Sequence, residues 1–210
     1  PEEELESDPP AESKSYEFFL GTLERLVRSV YDGNLGGEFI DIMANLIQGQ
    51  LTQAYQLAWL EEGTGGEMPG YLSTSLTEMI AEQYTHVDQF YRDIVDARTD
   101  GTPIDPLLAR CPLWANSYNS AYNQAMAVMT QEMGGNMIWL YGDTDHCDTC
   151  RQLDGIVARA SVWDELGVHP QMPENPLLDC GGWRCACSLS PSHQRQSPKA
   201  YNSILNAVNK

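Results

Sequence analysis

Five of the six cysteines of this chain lie close together in the sequence, near its C-terminal end. They form a pair, Cys147 and Cys150, and a later group, Cys180, Cys185 and Cys187. Zinc in structural sites is held by four thiolate or imidazole ligands at the corners of a tetrahedron. A Cys-x2-Cys pair supplies two of these ligands from one turn, and a later cysteine group supplies the others. The spacing therefore predicts a metal site that stabilises the C-terminal region.

The leading set of zinc ligands, all of them thiolates, is Cys147, Cys150, Cys180 and Cys185. Cys187 competes with Cys185, because residues i and i+2 of an extended segment point to the same side. His146 and His169 are alternative ligands. Four thiolates around one dication leave no open coordination position, so the predicted zinc is structural and not catalytic. The other interpretation is that these cysteines are buried thiols or form one or two disulfides.

Length and composition indicate one large domain or two small ones, since 210 residues with 42% hydrophobic side chains can bury a substantial core. The formal net charge is -18, which disfavours direct binding to nucleic acid or to an anionic membrane. The sequence lacks both an apolar run long enough to span a membrane and an N-terminal export signal. We therefore expect a reducing cytosol, where clustered cysteines bind metal more often than they cross-link.

Long helical stripes of apolar residues dominate the first two-thirds of the chain. The predicted helices cover residues 16–31, 38–60, 75–97 and 113–133. Ser75 and Glu78 fit a capping box, which predicts that the third helix begins near Ser75. Beyond Gly134 and Gly135 the pattern changes to a strand at 136–141, a second strand at 156–158 and a short helix at 198–208. The predicted fold class is mainly α: a long-helix assembly with a small C-terminal zinc-ribbon-like α+β module.

The predicted domain organisation has four parts. Residues 1–14 form an acidic, disordered arm, since residues 1–12 carry six carboxylates and no base. A helical domain spans 15–135, and the Cys-rich zinc-binding module spans 136–190. Residues 191–210 form a basic C-terminal tail with a short helix. The opposite charges of the two ends suit docking onto partner proteins.

Enzyme classes with cysteine chemistry fit the sequence less well. A thioredoxin-like redox pair needs a βαβ context, which is missing around Cys147 and Cys150. A zinc deaminase needs a His-x-Glu motif upstream of its cysteines, and the nearest match, His86 to Asp88, has the wrong acid. A cysteine protease needs an oriented histidine, and His193 lies in a polar tail. The sequence therefore predicts neither catalytic nor cofactor-binding residues beyond the metal ligands, and Cys111 is expected to be a small buried core residue.

The C-terminal region resembles a known family in several motifs at once. A helix leads into Trp139; Asp143 then precedes the Cys147–Cys150 pair, "LDG" at 153–155 follows, and the region closes with Cys185-Ala186-Cys187. This pattern, over roughly residues 113–190, is similar to the bacteriophage head-morphogenesis, or minor capsid, proteins. The family has a histidine before the closing cysteines, where this chain has Gly182 and Trp183. Cys180 is the replacement, which makes the site all-cysteine.

The resemblance implies a structural virion protein and not an enzyme. Such a minor head protein associates with the portal vertex during head assembly and influences DNA packaging or ejection. The implied partners are the portal and major capsid proteins, with several copies in a larger assembly and weak DNA contact through the C-terminal tail. The implied location is the virion, and the host cytoplasm during assembly. Three alternatives stay open: a thiol redox enzyme, a phage-associated hydrolase or toxin module, and a zinc-ribbon adaptor that binds a host protein.

Overall fold

The structure is a computed structural model that describes residues 11–62, 66–142, 146–172, 175–182 and 186–209. It confirms a mainly helical protein with a small C-terminal α+β module. The helices are α1 (Ala11–Tyr31), α2 (Glu38–Glu62), α3 (Gly70–Asp100), α4 (Asp105–Leu108), α5 (Cys111–Glu132), α6 (Asp148–Leu153), α7 (Ala160–Glu165) and α8 (Ala200–Val208). The strands are β1 (Asn136–Leu140), β2 (Val157–Arg159) and β3 (Ser188–Ser192).

The predicted start of the third helix at Ser75 is wrong, because α3 begins at Gly70. The carbonyl of Pro69 accepts hydrogen bonds from the N–H groups of Leu72 and Ser73, so Pro69 is the N-cap residue of this helix. Ser75 lies inside α3, where its hydroxyl is 2.8 Å from the hydroxyl of Tyr55. The first helix also begins earlier than predicted, at Ala11.

Of the described residues, those up to Gln50 form one compact unit with Ile80–Tyr118. Its core contains the aromatic rings of Phe39, Phe90 and Trp114. The ring centroids of Phe39 and Phe90 are 6.1 Å apart, and those of Phe90 and Trp114 are 6.0 Å apart. Gln50 is buried and donates from Nε2 to the carbonyl of Ala115 at 2.8 Å. The apolar stripes thus form the core that their helical spacing predicts.

The second unit comprises Leu51–Met79 and the chain from Asn119 onward. It contains an antiparallel sheet in the order β2-β1-β3, so β1 is the central strand. In its core, Trp139 packs against Trp163 with ring centroids 5.8 Å apart. Trp163 donates from its indole N–H to the carbonyl of Met137 at 3.3 Å. The two tryptophans give this short-stranded module a compact apolar centre.

Pro191 lies in strand β3, at the edge of the sheet. The N–H of Trp139 donates to Ile156 on the β2 side, so the backbone of its neighbour Ile138 faces β3. Ser190 pairs with Ile138 and faces β1, which turns the backbone of Pro191 to the open side. Proline has no N–H to donate, so Pro191 removes a donor only from the free edge and limits further strand pairing there.

The C-terminal helix α8 contributes to the same core as the sheet. Ala200, Ile204 and Ala207 are buried on one face of α8 and belong to the cluster that includes Trp139. The N–H of Ser197 donates to the carbonyl of Val157 at 2.8 Å, so the segment before α8 covers the edge of the sheet that β2 forms. The segment that was predicted to be a tail therefore packs onto the module.

Candidate metal centre

Three cysteine thiols converge at one place in the second unit. The Sγ atoms of Cys147, Cys150 and Cys180 all lie within 4.8 Å of one another. Among the described cysteines no disulfide is formed. With zinc–sulfur bonds of about 2.3 Å, the sulfurs of a tetrahedral site lie about 3.8 Å apart, so small adjustments bring these thiols to a common ion. The predicted convergence of the pair with Cys180 is confirmed.

The Cys-x2-Cys pair is held by the first turn of α6. Cys147 is the N-cap residue, with an extended backbone (φ -70°, ψ 164°), and Cys150 lies in the first helical turn. The Sγ atom of Cys147 accepts a hydrogen bond from the N–H of Cys150 at 3.4 Å. The cap uses a sulfur where most helices use an oxygen, and it places both thiols on the same side of the chain.

The surroundings of Cys147 favour its thiolate over the neutral thiol. Burial by itself raises the pKa of Cys147, but hydrogen bonds from Cys150 and Cys180 outweigh it and lower the pKa below the ordinary value. Hydrogen bonds to a thiolate stabilise it relative to the neutral thiol. Because the thiolate is the metal-binding form of cysteine, the neighbouring cysteines already favour the state that a metal would need.

Thr149 and Asp179 join the two cysteine segments. The N–H of Thr149 donates to the Asp179 carboxylate at 3.1 Å, and the N–H of Asp179 lies 3.3 Å from the Thr149 hydroxyl. Thr149 is almost completely buried. Thr149 is adjacent to Cys150 and Asp179 is adjacent to Cys180, so this reciprocal pair fixes the distance between the thiols. Such outer hydrogen bonds orient metal ligands.

The segment that carries Cys180 is a series of tight turns around Asn175. This buried side chain donates to the carbonyl of Gly167 at 3.0 Å and accepts from the N–H of Leu177 at 3.0 Å. Gly182 has φ +75°, and a Cβ atom there would lie 1.9 Å from the carbonyl oxygen of Met172. Only glycine fits this position, because any side chain would collide with backbone.

Cys187 makes a separate contact with His146. The Sγ atom of Cys187 lies 3.4 Å from Nδ1 of His146, whose Nε2 lies 3.0 Å from the carbonyl of Gly142. A carbonyl can only accept, so Nε2 carries a proton, and in the neutral ring Nδ1 accepts from the Cys187 thiol. The ring of Tyr141 stacks on His146 at 4.1 Å. Cys187 is near the three-thiol group, but neither the Cys187 sulfur nor a ring nitrogen of His146 lies within 4.8 Å of all three of its sulfurs.

The outcomes for the remaining candidate residues differ. Cys185 falls outside the described residues. His169 lies 3.7 Å from the carboxylate of Asp164, in a cleft that none of the described cysteines lines. Cys111 is buried in the first unit, where burial raises its pKa to about 11, as expected for a core cysteine. The structure therefore brings together three of the predicted ligands.

The arrangement suits the binding of a soft dication. Thiolates select zinc and similar ions, and the described part of the site offers sulfur ligands with supporting backbone donors. The cysteine spacing does not indicate that Thr149, Asp179, Asn175 or Gly182 belong to the site. The adjacent glycines after Cys180 were the available signal, since paired glycines often mark a turn with positive φ.

Comparisons with protein-family models, with curated proteins and with solved structures find no match for this chain. Within the described parts of the chain, no helix combines the length and the apolar character that crossing a membrane requires. Function is therefore inferred from the site and from the sequence pattern around it.

Proposed function

We propose that the three converging thiols hold one structural zinc ion and that the protein is a structural component of a virion, a minor head protein associated with the portal vertex. The observation that carries the metal proposal is the approach of Cys147, Cys150 and Cys180 to within 4.8 Å of one another. The fourth ligand in this proposal is Cys185, the residue that completes the leading set from the sequence.

A structural ion fits the energetics of the module. Its sheet contains strands of five, three and five residues, which is little hydrogen-bonded structure for an independent fold. Metal binding to such a unit contributes folding free energy directly, on the order of 10 kcal/mol for structural zinc. An ion bound by four thiolates has no vacant position for a substrate, which favours a structural role over catalysis.

The virion role is supported by the resemblance around Trp139, Cys147 and Cys150 and by the surface chemistry. The net charge of -18 disfavours wrapping of DNA, whereas long helices suit packing against other proteins. The proposed partners are the portal and major capsid proteins, with several copies of the chain in the particle. The proposed locations are the virion and, during assembly, the host cytoplasm.

The assignment of the fourth ligand is tested by removing one thiol at a time. We expect Cys185→Ser to lose one sulfur from the X-ray absorption spectrum of bound zinc and to weaken zinc binding by about 100-fold or more, since even outer-shell changes cost 10- to 100-fold. Cys187→Ser is the matched control, because it also removes a thiol, and it is expected to keep four sulfurs. If Cys187→Ser loses a sulfur from the zinc spectrum and Cys185→Ser keeps all four, Cys187 is the fourth ligand and Cys185 does not bind the metal.

The virion role is tested by locating the protein. Particles purified from cells that express the chain from its native genome are expected to contain it in fewer copies than the major capsid protein. A labelled version is expected at one vertex when particles are imaged. Its absence from washed particles, with the protein recovered only from the surrounding lysate, would contradict the proposal.

A thiol redox enzyme is the second candidate, and the lowered pKa of Cys147 beside Cys150 favours it. The two functions differ in metal content and in thiol chemistry. A protein that is purified without metal, and whose two thiols cycle reversibly between dithiol and disulfide, is a redox protein. One zinc per chain, with thiols that resist oxidation until the metal is removed, supports the structural role.

A further inference from the structure

A cleft separate from the cysteines lies in the second unit, with a cavity volume of about 230 Å³. The first turns of α3, the C-terminal half of α5 and the module around α7 form its walls. The floor is apolar and includes Met137, Trp163 and Leu189, all of them buried. The rim is polar. An apolar floor with convergent polar groups is the usual composition of a small-ligand site.

The residues that line the cleft carry negative charge, and none of them is a lysine or arginine that would neutralise it. The acidic residues are Glu78 and Asp164. In the part of the chain that the structure describes, Glu78 forms no ion pair, and Asp164 has only His169, at 3.7 Å. Burial lowers the pKa of His169 despite the opposing effect of Asp164, so at neutral pH its ring is uncharged. Two carboxylates therefore face the cleft without a cation.

Other polar groups in the cleft are also unused. The side chain of His169 is only 19% exposed, yet its 3.7 Å distance from Asp164 is too long for a hydrogen bond. Gln124 and Gln131 line the cleft as well, and among the described residues their amides have no side-chain hydrogen bond. The available acceptors are therefore carboxylate oxygens, amide oxygens and an imidazole nitrogen. A ligand rich in donors and positively charged is complementary to this set.

We propose that this cleft binds an alkyl guanidinium group, the chemistry of an arginine side chain. Guanidinium has five N–H donors and no acceptor, and its planar fork matches a carboxylate such as Glu78 or Asp164. It is less strongly hydrated than an ammonium group, so it enters a partly buried cleft more readily. Its alkyl stem lies over the apolar floor beside Trp163. The site goes beyond the proposed virion role and includes none of the described cysteines.

The test is a titration of the full ¹⁵N-labelled chain, kept in zinc, with agmatine at a salt concentration of about 150 mM, which screens general attraction to an acidic protein. We expect binding in the roughly millimolar range, as for a ligand of this size. The shifts should concentrate on the Trp163 indole N–H and on the backbone near Glu78 and Asp164.

Two pairs of variants separate the cleft from general charge. Glu78→Gln and Asp164→Asn are each expected to weaken agmatine binding about three- to fivefold, the upper range for ion pairs whose carboxylate is solvent-exposed, as both of these are. Glu82→Gln and Glu165→Gln remove the same charge from exposed positions outside the cleft and are expected to leave binding unchanged. Equal weakening by all of these variants, or the absence of localised shifts, would overturn the proposal.

The source of the guanidinium is distinguished by a second ligand. The capped peptide Ac-Gly-Arg-Gly-NH2 should produce the same shifts if the cleft accepts an arginine from a protein partner. If only agmatine binds, the ligand is a free small cation. The same peptide with citrulline, which has the same shape without the charge, should not bind. Equal binding of the citrulline peptide would contradict recognition of the cation.

Discussion

The variant Cys147→Ser is expected to lose its zinc and to unfold the module from Asn136 onward, while the first unit keeps its helices. Serine is a poor zinc ligand, and the change also removes the sulfur that accepts from the N–H of Cys150. Structural zinc contributes on the order of 10 kcal/mol, which equals or exceeds the whole stability of a typical domain. The core around Phe39 and Phe90 lies in the first unit, which contains none of the clustered cysteines, so we expect it to persist without the metal.

Hydrogen exchange followed by mass spectrometry measures this effect region by region, together with zinc content. Peptides from residues 136–192 should lose protection, and those from residues 16–50 should retain it. Cys111→Ala is the control, since it removes a buried thiol from the first unit and should retain zinc at a cost of about 1–3 kcal/mol. A Cys147→Ser protein that melts and resists protease like the parent would show that the module does not need this ligand.

The long helices were predictable because their stripes extend over many turns. In α2, Phe39, Met43 and Ile47 recur at helical spacing, and the structure buries all three. The start of α3 was not predictable in the same way. The Pro69-Gly70 dipeptide is compatible with both a loop and a helix start. Ser75 has the sequence pattern of a helix cap, but in the folded chain its hydroxyl contacts Tyr55.

Of the short elements of the module, β1, β2 and α8 were predicted to within two residues of their bounds, whereas α6, α7 and β3 were missed. The misses at α6 and β3 have physical reasons. Helix α6 has six residues, too few for an apolar period, so the Cys-x2-Cys pair indicated a turn. Strand β3 contains Pro191, which argues against a strand unless the proline faces an open edge. That orientation depends on the pairing register between β3 and β1, and the sequence of Ser188–Ser192 alone does not indicate this register.

The cysteines of the candidate site were predictable from the sequence, but the residues that hold them in place were not. Cysteine spacing placed Cys147, Cys150 and Cys180 together, since few other roles need that pattern. The Thr149–Asp179 pair and the Asn175 turn depend on contacts between distant segments, and threonine, aspartate and asparagine are common in ordinary loops. The acidic cleft depends even more on tertiary structure, because Glu78 and Asp164 lie far apart in the chain.

The variant Gly182→Ala is expected to have the second-largest effect, through geometry and not through chemistry. Gly182 has φ +75°, and an added Cβ would lie 1.9 Å from the Met172 oxygen and 2.6 Å from its carbonyl carbon. Both obstacles are backbone, so the turn must move, and Cys180 lies two residues earlier. We expect a loss of about 3–5 kcal/mol in the stability of the module, the range of severe single substitutions, with weaker zinc binding.

Gly155→Ala separates the collision from the backbone strain. Gly155 has nearly the same conformation, φ +73°, but nothing lies within 4 Å of a Cβ atom placed there. Alanine at this position should therefore cost only the left-handed conformation, about 1–2 kcal/mol, with zinc affinity unchanged. Denaturant unfolding and competition with a chelator measure both quantities in both variants. If the two variants behave alike, the contact between Gly182 and Met172 does not hold Cys180 in place, and the turn around Asn175 must be looser than described.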